Sequence, residues 1–153
     1  MGLKEQLVED MKTAMKSKET GRLDAIRLLR AAIQRLEVDR TDRKNPNYGQ
    51  EITETDYIGV IQKEIKQRRD SIEAFEKGNR SDLADKERAE LVIMEHYLPR
   101  QLTREEIVAA LTPLVEREGK DFRKIMPLAS KELKGKAEGR LINEVVKELT
   151  GQA

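Results

Sequence analysis

Apolar residues recur along this chain at steps of three and four. Leu3, Leu7, Met11 and Ala14 form one stripe, and Ile26, Leu29, Ile33 and Leu36 form a second. That spacing puts side chains on one face of a 3.6-residue helix, so two helices are predicted, with Thr20 and Gly21 at the break. The segment TDRKNPNYGQ, residues 41–50, carries Pro, Gly, two Asn and several charges and is predicted as a loop. Thr53 then offers an N-cap, and Asp56 three residues on gives a capping-box pattern. A long helix is expected to about Lys77, ended by Gly78 and Asn79. Ser81 is the expected cap of the next helix, which runs to about Tyr97.

YLPRQLTREE is the clearest boundary. Pro99 pushes Leu98 out of the α region, and Thr103 with Glu106 forms a capping box. An N-terminal helical domain, 1–98, and a C-terminal helical bundle, 103–153, are expected on its two sides. Three short helices are predicted in the second part. Ile107, Leu111 and Leu114 line the first, Ile125, Ala129 and Leu133 the second, and Leu141, Val145 and Leu149 the third. Gly119 and Gly135 stop the first two. Pro113 and Pro127 fall inside those two patterns and are expected to kink them.

Composition supports an all-α fold: long helices first, then a small three-helix bundle. Aromatics make up 3% and charged residues 39%, which suits slender helical bundles better than a thick core or a sheet. Lys plus Arg is 30 against 29 for Asp plus Glu, so bulk charge gives no reason to expect nucleic acid or membrane as a partner. With no Cys, a thiolate metal site or thiol nucleophile is excluded. No apolar run reaches membrane-spanning length, and a cytoplasmic location is expected.

Charge is nevertheless uneven. Residues 120–147 hold eight bases and four acids, whereas 71–119 hold seven bases and eleven acids. The C-terminal end is therefore the best candidate for a polyanion contact. A second candidate lies on the long helix, whose stripe runs Ile58, Ile61, Ile65, Arg68, Ile72 and Phe75. Arg68 takes an apolar slot, with Arg69 one step round. A guanidinium fork suits phosphate, so an anion site is one reading. The plainer reading pairs Arg68 with a carboxylate from a neighbouring helix, its stem packed on apolar side chains. Arg27 and Arg30, three apart, can share a face; a phosphate-binding surface and a solvated one are both open.

Catalytic chemistry is not legible. His96 stands alone, so no metal and no cofactor is expected. None of the four serines, Ser17, Ser71, Ser81 and Ser130, lies in a nucleophile elbow, and there is no Gly-rich phosphate loop.

The stretch LKGKAEGRLINEVVKEL, Leu133–Leu149, resembles the signature of the GatB/YqeY family. IRLLRAAI (26–33), QKEIKQRRDSIEAFEK (62–77) and YLPRQL (97–102) resemble it in the same order, so the likeness covers nearly the whole chain. The resemblance implies an N-terminal helical region and a C-terminal bundle similar to the tail domain of the B subunit of the tRNA-dependent amidotransferase. That tail contacts tRNA, while the chemistry lies in parts this chain lacks. The resemblance carries an RNA-binding role to Lys134, Lys136 and Arg140, with their neighbours Lys131 and Lys147. Gly135 is expected as a left-handed helix cap and Gly139 as a point of close backbone approach. The expected function is a tRNA-binding or amidotransferase-related accessory module without its own catalytic centre, with tRNA or a tRNA-handling enzyme as partner. The alternatives are a component of glutamine-dependent carbon–nitrogen ligase activity on aminoacyl-tRNA and a protein-interaction scaffold. Nothing points to DNA.

Overall fold

Seven helices and no strand make up the described residues, 2–152, of a computed structural model. They are α1 (Leu3–Lys16), α2 (Thr20–Asp39), α3 (Glu54–Lys77), α4 (Ser81–Glu95), α5 (Arg104–Glu118), α6 (Phe122–Glu132) and α7 (Gly139–Leu149). The chain divides into two compact units, residues 1–98 and 99–153. None of the described helices is long and apolar enough to cross a membrane.

In the first unit the predicted stripes turn inward. Leu7, Ala14, Ile26, Leu29, Ile33, Ile61, Ile65 and Met94 form the core, with Leu3, Met11, Tyr57 and Tyr97 packed around it. Each fully buried Leu or Ile stabilises the unit by ~2 kcal/mol relative to exposure. α3 and α4 make the most extensive helix pair, joined by a short turn. α3 starts as expected: Thr53 Oγ1 accepts from the Asp56 N–H at 3.3 Å, and Asp56 Oδ2 accepts from the Thr53 N–H at 3.0 Å.

Three N-terminal boundaries differ from expectation. The α1–α2 break lies at Ser17–Glu19, ahead of Thr20 and Gly21. There Lys18 adopts φ 57°, the Glu19 N–H donates to Ala14 O at 3.0 Å and the Lys18 N–H to Met15 O at 3.3 Å. This hydrogen-bond pair satisfies the orphan carbonyls of a helix end, and here a lysine fills the place glycine usually takes. Asn79 does the same at the end of α3, with φ 58°. Because that motif hands the chain to Arg80, Ser81 is the first residue of α4 and caps nothing. α4 also ends at Glu95, short of Tyr97, whose phenol is drawn away to Asp10.

The second unit packs α5, α6 and α7 around Ile107, Leu111, Leu114, Ile125, Ala129, Leu133, Ala137, Ile142, Val145 and Val146. In α7 the deepest residues are Ile142, Val145 and Val146, while Leu141 and Leu149 sit at the margin. The stripe is thus rotated from the expected Leu141–Val145–Leu149 line. α5 and α6 each continue past their proline. Pro113 and Pro127 are exposed, and so are Ala109 and Arg123, whose carbonyls lose a helical donor and can turn to water.

Candidate functional site

The basic elbow joins α6 to α7. Leu133 ends α6 at φ −102°, and the Lys136 N–H donates to Leu133 O at 2.9 Å, closing a four-residue turn. Gly135 stands third in that turn with φ 77°, a conformation a side chain disfavours. The left-handed glycine is where it was expected, but it belongs to the turn and is not the helix cap.

Burial alternates through this turn. Leu133, Gly135 and Ala137 are buried; Lys134 and Lys136 between them are exposed. The stretch before α5 clamps it from within. The Leu102 N–H donates to Lys136 O at 2.9 Å, and Gln101 Nε2 donates to Gly135 O at 3.2 Å. Two carbonyls that would repel an anion are thereby engaged, and Lys134 and Lys136 are exposed. α7 begins directly after, with the acid Glu138 at its N-cap position, no further acid in its first turn and no side-chain cap hydrogen bond to its N–H groups. Such a helix start carries partial positive charge.

Gly139 is the first residue of α7, and a Cβ built there meets nothing within 4 Å. The expected close backbone approach is therefore absent. Arg140 is 76% exposed, with only a loose contact to Glu144 at 3.8 Å. Lys131 on α6 and Lys147 on α7 are exposed, and neither has a carboxylate within ion-pair distance among the described residues. Acids do dilute the patch: Arg104 of α5 holds Glu144 at 3.8 Å and pairs closely with Glu148.

The Arg68 slot is filled by carboxylates. Its guanidinium lies 3.0 Å from Glu90, 3.3 Å from Glu87 and 3.5 Å from Glu64, with 14% of the side chain exposed. Glu64, only 7% exposed, is also reached by Arg35 of α2 at 3.3 Å. Burial, followed by repulsion from Glu90, raises the pKa of Glu87. Arg69 faces Glu95 at 3.4 Å. Arg27 and Arg30 are not part of this cluster; they line a groove against α1 with Lys4, Gln34 and Glu37. The four arginines singled out from the sequence thus occupy two separate places.

Several organising residues escaped the sequence reading. Arg100 grips Glu106 through two bonds of 2.9 and 2.8 Å, and this hydrogen bonding pulls the Glu106 pKa down to about 2. Thr103 Oγ1 accepts from the Glu106 N–H at 3.2 Å, one half of the expected capping box, while the Glu106 carboxylate accepts from Arg100 and the Thr103 hydroxyl. Arg40 fastens the 41–50 loop through Gln50 O and Glu51 O, each at 3.3 Å. Tyr97 donates to Asp10 at 2.6 Å, and burial, then this bond, raises the phenol pKa. A partner 87 residues away, as Asp10 is from Tyr97, leaves no local spacing signal.

The model of the YqeY-like protein family matches residues 4–150. Altered inheritance of mitochondria protein 41, mitochondrial, of Lachancea thermotolerans is 38% identical over 92 residues, covering 60% of this chain and 46% of the relative. The protein of the same name from Kluyveromyces lactis is 37% identical over 119 residues, covering 73% of this chain and 60% of the relative. The chain spans about half the length of the curated relatives it matches. With the family model covering 4–150 of 153 residues, the chain belongs to the YqeY-like protein family.

Proposed function

We propose that the chain is an accessory module that binds the phosphate backbone of a structured RNA, tRNA foremost, through the α6–α7 elbow, without a catalytic centre of its own. The observation that carries this reading is the alternation at Leu133–Ala137. It turns Lys134 and Lys136 outward beside the uncapped start of α7 and Arg140. Lys131 and Lys147 extend the positive surface. Phosphates are met by point charges and backbone N–H groups, which require shape and spacing and no base stacking. The scarcity of aromatics fits a structured RNA better than unstacked single strands.

The cytoplasmic location belongs to the same proposal. The mitochondrial location in the names of the fungal relatives is theirs. Fractionating cells that express the tagged chain distinguishes the two compartments. The functional test is capture of the tagged chain after cross-linking, with sequencing of bound RNA. A Lys134→Ala, Lys136→Ala, Arg140→Ala variant is carried in parallel. Enrichment of tRNA with wild type and its loss with the variant support the reading. Equal recovery of RNA by both, or recovery of none, overturns it.

A further inference from the structure

α1 and α2 leave a groove of about 410 Å³ lined by Lys4, Arg27, Arg30, Ala31, Gln34 and Glu37, closed beneath by Leu7 and Ile33. Small-molecule sites span roughly 300–1,000 Å³, so the space is sufficient for a compact ligand. Its charges are unusual for this protein. Most arginines of the first unit lie against carboxylates: Arg22 on Glu19, Arg35 on Glu64, Arg40 on Asp56, Arg68 on three glutamates. In the groove the one acid, Glu37, is taken by Lys4 at 2.9 Å. Arg30 rests its guanidinium on the thioether of Met11, 3.0 Å away and a weak acceptor. Arg27 has no carboxylate within ion-pair distance among the described residues.

We infer that this groove is a binding site for a phosphate monoester, gripped by Arg27 and Arg30. Residues three apart on a helix are neighbours, so two guanidinium forks can converge on one group. Two unspent positive charges match a dianion. A monoester phosphate supplies that charge and enough acceptors for both forks and the Gln34 amide; a carboxylate or a nucleic-acid diester supplies one negative charge. The volume exceeds what a bare phosphate ion fills, leaving room for the ester's organic part beside Ala31. This site lies in the first unit and stands independently of the elbow.

The test follows the side-chain Nε–H resonances of the full chain by NMR. Phenyl phosphate and a phosphoserine peptide are titrated, with dimethyl phosphate as the diester control. Saturable shifts at Arg27 and Arg30, with the exposed loop residue Arg43 unmoved, are expected for at least one monoester. Saturation by the small ester alone identifies a free metabolite as the source, and by the peptide alone a protein-borne phosphate; both uphold the site. Dimethyl phosphate is expected to bind about tenfold more weakly or worse, as are the Arg27→Gln and Arg30→Gln variants toward the monoester. Arg27→Lys and Arg30→Lys, which keep the charge and lose the fork, should weaken binding too, with helicity unchanged. No saturable shift with either monoester, or equal shifts at Arg43, overturns the proposal.

Discussion

Arg68 shows how one residue can be misplaced on a pattern and right in the structure. On the sequence it interrupts an apolar stripe. In the fold it is the counter-charge that permits Glu64, Glu87 and Glu90 to be largely buried together. Removing one partner of a buried ion cluster leaves uncompensated charge, so Arg68→Ala is expected to cost about 3 kcal/mol. Denaturant unfolding of wild type and variant measures it; a loss within error of zero would show the cluster contributes nothing. Glu106 gives a pH signature. Its pKa is depressed from 4.5 to about 2 by Arg100. The folded state therefore holds this carboxylate charged where the unfolded state does not. The stabilisation is complete above the unfolded value of 4.5 and fades as pH falls through about 2. Carboxyl NMR titration is expected to place Glu106 near that lower value and, in Arg100→Met, closer to the ordinary one. A wild-type carboxyl titrating normally would contradict the Arg100 contact.

At the scale of elements, period and punctuation carried most of the reading. The α3 cap at Thr53 and the end at Gly78 follow from local side-chain and backbone chemistry, and local chemistry is written in adjacent residues. Two of the misplaced boundaries lie where an ordinary residue adopted a left-handed conformation, Lys18 before α2 and Asn79 before α4; the early end of α4 has no such residue. Lys18 has φ 57°, and nothing in its type announces this; packing of α1 on α2 decides it. The rotation of the α7 stripe has a similar origin. Five apolar residues crowd LINEVVKEL, and only the neighbours α5 and α6 select which go deepest. The elbow was legible as a basic, glycine-punctuated joint. Its clamp by Gln101 and Leu102 was not, since those partners stand 34 residues back. Gly135 at φ 77° is the joint's most sensitive point. Gly135→Ala forces a side chain into the left-handed region and is expected to cost about 1 kcal/mol. Thermal unfolding of the pair checks this, and an unchanged midpoint would mean the turn relaxes without strain.

Over the whole molecule, near-neutral net charge conceals an uneven distribution. Several acids of the stretch 71–119 are engaged between helices, as Glu87 and Glu90 are at Arg68, while the excess of bases lies at 120–147. The two units accordingly differ in what their surfaces offer: a groove holding two arginines in the first, an outward-turned basic joint in the second. The central claim is that elbow cations meet RNA phosphates. Each phosphate neutralised releases condensed counterions, so the logarithm of the binding constant falls linearly with the logarithm of salt concentration. The most direct measurement is tRNA affinity over a salt series for wild type and for the Lys134→Ala, Lys136→Ala, Arg140→Ala variant, with helicity checked in both. The account expects the variant's slope to be shallower by roughly two to three, because each cation removed leaves one phosphate unneutralised. Identical slopes and affinities, or no tRNA binding by wild type at low salt, would contradict it.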